Sequence, residues 1–166
     1  MDTACVFWRH HPVAAPGYTN EAMVIQLDID DTITWAPAFF AWMSHALMRD
    51  GHRVRIVTAR GRHSAEPAQT EMELRALGIT WDELILSEAV PEIDRKELPP
   101  DFPEDLVHLW PKCRATMKDL PDLVFDDSVA VSALFSRYLP DVRVIRPLRA
   151  DSNTNGRRDG ADSMAW

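Results

Sequence analysis

Between Met23 and Pro147 five short apolar runs alternate with stretches of helical spacing. The runs are MVIQLD (23–28), RVRIVT (53–58), ELILS (83–87), DLVFDD (122–127) and VRVIRP (142–147). PAFFAWMSHALMRD (37–50) reads as a helix with proline in its first turn and Gly51 as its stop. Ser64 can cap a second helix reaching Leu77, with Gly78 just past its end. A third helix runs from about Leu106 or Pro111 to Asp119, and a fourth spans SVAVSALFSRYL (128–139). Strands separated by helices cannot pair as tight hairpins. They pair through right-handed crossovers, which gives a parallel sheet covered on both faces. The expected class is therefore α/β with three layers.

The ends do not share this pattern. Residues 1–22 have no sustained period and read as a peripheral arm, so the domain is expected over 23–148. The tail 149–166 is polar, contains glycine and lacks an apolar period, and is expected to be disordered. Cys5 and Cys113 form no CxxC, which fits reduced thiols in a cytoplasmic protein. No apolar run approaches the roughly 18 residues of a membrane span, and the N-terminus lacks a signal peptide's apolar centre. A net charge of −8 argues against broad capture of nucleic acid or of an anionic membrane.

The first apolar run ends abruptly in acids. In VIQLDIDDTIT (24–34), Asp28, Asp30 and Asp31 crowd together ahead of Thr32. Ligands of an open parallel sheet bind beyond the carboxyl ends of its strands. Asp28 ends the first run, Thr58 the second, and Asp126 with Asp127 the fourth, so all lie toward one rim. Carboxylates that converge from two strands suit a hard divalent cation such as Mg²⁺, which would relieve their repulsion and keep them ionised.

Asp28-Ile29-Asp30-Asp31-Thr32 resembles the DxDxT motif of the haloacid-dehalogenase-like (HAD) superfamily. Thr58 after RIV is similar to that family's second motif, and Asp126-Asp127 after LVF to its fourth, in the right order across residues 23–147. The resemblance implies a Rossmann-like five-stranded parallel sheet in the order 3-2-1-4-5 and two-step phosphoryl transfer. Asp28 would be the nucleophile and Asp30 the acid and base. Thr58 and a lysine would hold the phosphate oxygens. Mg²⁺ would be held by Asp28, the carbonyl of Asp30, and Asp126, with Asp127 as a further ligand. Lys112 and Lys118 both precede the fourth strand. Lys112 follows Pro111 at a helix start and so points to the active rim, whereas Lys118 suits the helix's negative end. The short spacings after Thr32 and after Ser87 leave no room for a sizeable cap. A capless rim suits a large substrate or a site completed by a second subunit, and the DIDDT and TAR elements are similar to nucleotidase and polynucleotide-phosphatase relatives. The implied substrate is a phosphorylated small molecule, a nucleotide among the candidates, with a nucleic-acid end disfavoured by charge.

Several of these residues have plainer readings. Asp31 serves the turn, Thr32 caps backbone groups, and Asp127 either caps the helix after it or binds metal. Arg60 and Arg62 can grip an anion or simply be solvated. Trp35 and Phe39 can stack on a ring or belong to the core of the first helix. A receiver-like phosphoacceptor and an idle scaffold of the same fold are the competing function classes.

Overall fold

A computed structural model describes residues 21–61, 66–87 and 94–147. Five strands, β1 (Val24–Leu27), β2 (Arg53–Gly61), β3 (Glu83–Ser87), β4 (Leu123–Phe125) and β5 (Arg143–Ile145), form one sheet. Its order is β3-β2-β1-β4-β5 and all pairings are parallel, so the fold is the expected Rossmann-like α/β sandwich. Among the described residues four α-helices cover it: α1 (Pro37–Arg49), α2 (Glu66–Ala76), α3 (Trp110–Lys118) and α4 (Val129–Tyr138). Strand order reverses between β1 and β4, which places the rim beyond Leu27 and Phe125 at the topological switch.

Alternation of side chains along the strands makes two cores. Ile25, Leu27, Val54 and Ile56 face α1 and α2, where Phe40 and Leu74 meet them. On the other face Val124 packs with Trp110 and Cys113 of α3 and with Val131, Leu134 and Phe135 of α4. Because Leu27 faces the first core, Asp28 next along the chain turns toward α3. Gly51 and Gly78 take φ values of +88° and +74°, the left-handed geometry that ends α1 and α2 and that L side chains resist.

Two expectations are corrected. The second strand does not stop at Thr58 but runs to Gly61, because the β2–β3 register shifts between Thr58 and Gly61 and the strand bulges there. The Thr58 hydroxyl accepts the Arg60 amide N–H at 3.3 Å and stands in for a ladder bond. Trp35 and Phe39 are not core: they are 44% and 48% exposed, since α1 turns Phe40 and Ser44 inward instead. Together with exposed Trp42 they leave aromatic surface on α1 and on the turn before it. A short 3-10 turn lies at Arg95–Glu97, and another at Glu104–Leu109 leads directly into α3. The arm 1–20, the tail from 148, Arg62, Ser64 and Cys5 lie outside the described residues. No helix among the described residues is long and apolar enough to cross a membrane.

Candidate functional site

The turn after β1 sets the first half of the rim. Asp30 is extended (φ −71°, ψ 131°) and Asp31 is left-handed (φ 57°, ψ 1°), a conformation aspartate tolerates better than most residues. Thr34 closes the turn through its amide N–H to the Ile29 carbonyl at 3.0 Å, and its hydroxyl accepts the Asp31 N–H at 3.0 Å. Asp28 is thereby turned inward and buried, while Asp30 and Asp31 stay exposed. Asp31 thus serves the turn. Phe125 fixes the neighbouring strand end by accepting the Asp28 N–H at 2.9 Å.

The second half follows β4. Asp126 is fully buried, and its Oδ1 accepts the Ser128 N–H at 3.0 Å. Thr32 joins the two loops: its hydroxyl accepts the Asp127 N–H at 3.1 Å and donates to Asp127 Oδ1 at 3.4 Å. Asp127 does not cap α4. Ser128 is the capping residue, its hydroxyl accepting the Val131 N–H, which leaves the Asp127 carboxylate for the rim. Oxygens of Asp28, Asp126 and Asp127 lie within 4.8 Å of one another.

Lys112 enters this cluster from the first turn of α3. Its Nζ lies 2.6 Å from Asp28 Oδ1 and 2.6 Å from Asp126 Oδ2, with the lysine side chain only 3% exposed. Lys118 is exposed at the other end of the helix and contacts none of these acids. Burial opposes charge on Lys112, but the two carboxylates outweigh it and its pKa ends above the usual lysine value. Burial pushes Asp28 up to about 6, against the pull of Lys112 and with help from Asp126. Asp126 Oδ2 has its ion contact with Lys112 but no aligned hydrogen bond. One ammonium therefore faces three carboxylates, and the site carries surplus negative charge in a poorly hydrated place. Cys113 beside Lys112 is no nucleophile there, because burial pushes its thiol up to about 12.

The remaining candidates sit further out. Thr58 is buried, makes no hydrogen bond to the acids or to Lys112, and is occupied with Arg60 and, through its carbonyl, the Ser87 hydroxyl at 3.1 Å. Asp30 does not join the carboxylate cluster. It binds Arg60 through both oxygens, with Arg60 Nη2 at 2.5 Å from Oδ1 and Nε at 3.0 Å from Oδ2. Glu73 of α2 holds the other side of Arg60 at 2.5 Å from Nη1. Glu73 was not legible in the sequence, because nothing in its own helix marks it and only the fold brings it beside the bulge of β2. Gln26 and Thr116 were missed too. They form a buried network beneath Lys112, in which Gln26 Nε2 donates to the Thr116 hydroxyl at 3.0 Å and that hydroxyl lies 2.9 Å from the Lys112 carbonyl. Trp35 is exposed at the entry to α1 and makes no ring contact with the acids. Neither protein-family models nor curated proteins match this chain.

Proposed function

We propose that this chain is a HAD-like, Mg²⁺-dependent phosphomonoester hydrolase that works through an aspartyl phosphate on Asp28. The observation that supports it is Lys112 buried between Asp28 and Asp126, with Asp127 beside them. A lysine alone does not neutralise three carboxylates. The donor set also suits a hard cation, since the three carboxylates offer only oxygen ligands that lie within 4.8 Å of one another. Asp28, Asp126 and Asp127, with the Asp30 carbonyl, would hold Mg²⁺, which when bound offsets repulsion between carboxylate and phosphate.

The chain's own residues account for the rest. A carboxylate oxygen of Asp28 attacks phosphorus as the ester oxygen departs. Asp30 supplies that oxygen's proton and later removes one from the water that cleaves the acyl phosphate, regenerating Asp28. Lys112 neutralises charge on the non-bridging oxygens, and the hydroxyl of Thr58, unused as a donor, is available to them. Arg60 can exchange its carboxylate partners for the substrate phosphate and so release Asp30 for proton transfer. No sizeable cap is present among the described residues, which favours a substrate recognised at an open rim, a nucleotide among the first to try.

Turnover of an aryl phosphate with Mg²⁺ tests the reading. Asp28→Asn is expected to lower kcat by about four orders of magnitude. A variant as active as the parent rules the mechanism out. A panel including nucleoside monophosphates then ranks substrates. A phosphoaspartate that persists for many minutes would move the reading to a signalling phosphoacceptor, and tight Mg²⁺ binding without hydrolysis of any phosphate ester would move it to a scaffold.

A further inference from the structure

A cavity of about 700 Å³ lies away from the acidic rim, between β2, β3 and α3. Among the described residues, Arg53 and Arg55 of β2 and Arg114 and Lys118 of α3 line it, against Glu83 and Asp119. This is a concentration of positive charge on a chain whose net charge is −8. Its walls also carry Ile85, Pro111 and Ala115, so a ligand there meets apolar surface as well as cations.

Among the described residues Arg53, Arg55 and Lys118 are incompletely neutralised. Arg55 is 1% exposed, and an arginine that buried normally has its fork fully paired. Arg55 Nη2 donates to Gln26 Oε1 at 2.8 Å, but Nε has no hydrogen-bond partner. Its ionic partner is Asp119 Oδ2 at 3.4 Å, and the same oxygen also serves Arg53 at 3.5 Å. Two guanidinium groups thus share one carboxylate oxygen at the long end of ion-pair distance, and that carboxylate is 46% exposed. Lys118 has no ion-pair partner among the described residues. Arg114 is engaged with Glu97 at 2.6 Å and acts as a wall.

We propose that this groove is a binding site for a small organic anion: a sulfonate, carboxylate or phosphate carried on a flat apolar body. The anionic head would meet Arg53, Arg55 and Lys118, and the body would lie against Ile85 and Ala115. The volume is that of a small-molecule pocket, which spans roughly 300–1,000 Å³. The proposal is independent of phosphatase chemistry and stands or falls without it.

The test is a ¹H–¹⁵N NMR titration of the full chain with naphthalene-1-sulfonate in Mg²⁺-free buffer, with 1-naphthol and sulfate as parallel arms. Saturable shifts centred on Arg55, Ile85 and Ala115 are expected, with the amides of Asp28 and Asp126 unmoved. The exposed double variant Arg53→Gln/Lys118→Gln should bind about tenfold more weakly. Arg55→Lys, which keeps the charge but not the fork, should also weaken binding, and Asp28→Asn should leave it unchanged. Shifts centred on the acidic rim, equal affinity in the double variant, or 1-naphthol or sulfate binding as tightly as the sulfonate would each overturn the proposal.

Discussion

The rim and the groove are each built around one buried cation, and they are unbalanced in opposite directions. Lys112 stands between Asp28 and Asp126 at 2.6 Å from each, with Asp127 adjacent, so negative charge is in excess. Arg55 shares one half-exposed carboxylate with Arg53, so among the described residues positive charge is in excess. Both lie on the α3 side of the sheet, and α3 contributes to both. Lys112 in its first turn serves the rim, and Lys118 in its last turn lines the groove. A buried charge without full compensation is costly, and each imbalance names the ligand that would correct it: a cation at the rim, an anion in the groove.

The largest stability effect should come from removing the rim's cation. Lys112→Met leaves two buried carboxylates facing each other and should cost about 3–5 kcal/mol in chelator by urea denaturation. Much of that loss should return with Mg²⁺. The matching change in the groove, Arg55→Met, should cost only about 1–2 kcal/mol, because exposed Asp119 can rehydrate and Gln26 keeps its bonds to Thr116. If the two losses are equal, the contrast drawn between rim and groove is wrong.

The pH dependence sharpens the rim's side of the comparison. Asp28 has its pKa raised to about 6 from an ordinary value of 3.8, so the folded chain holds this proton more tightly than the unfolded chain does. Its contribution is therefore fully present below pH 4 and is lost as pH rises through 6. Thermal denaturation in chelator should show Tm falling between pH 5 and 7 more steeply for the parent than for Asp28→Asn, and Mg²⁺ should flatten that slope. The smallest effect belongs to Lys118→Gln. It should change stability by less than about 0.5 kcal/mol, since the side chain is exposed and unpaired among the described residues.

Much of the rim was legible because strand ends are. Short apolar runs locate β1 and β4, alternation of strands and helices makes the sheet parallel, and a parallel sheet brings Asp28 and Asp126 to one edge. Lys112 followed from its place at a helix start. What could not be read depends on contacts between elements distant in sequence. Gln26 interrupts an apolar strand, yet its partners Arg55 and Thr116 are known only once β2 and α3 are in place. The bulge that moves Arg60 beside Asp30 is a register shift, which a run of residues such as RIVTARG does not announce. The groove was invisible for the same reason. Its cations are ordinary charged residues in sequence and become a cluster only when β2 and α3 are packed side by side.

The central claim is that Asp28, Asp126 and Asp127 share one divalent ion. Titrating the metal-free chain with Mn²⁺, with free ion read by electron paramagnetic resonance, tests it most directly. The account predicts one saturable ion per chain, displaced by Mg²⁺ and lost in Asp126→Asn. Binding that persists unchanged in that variant, or no saturable ion in the parent, would contradict it.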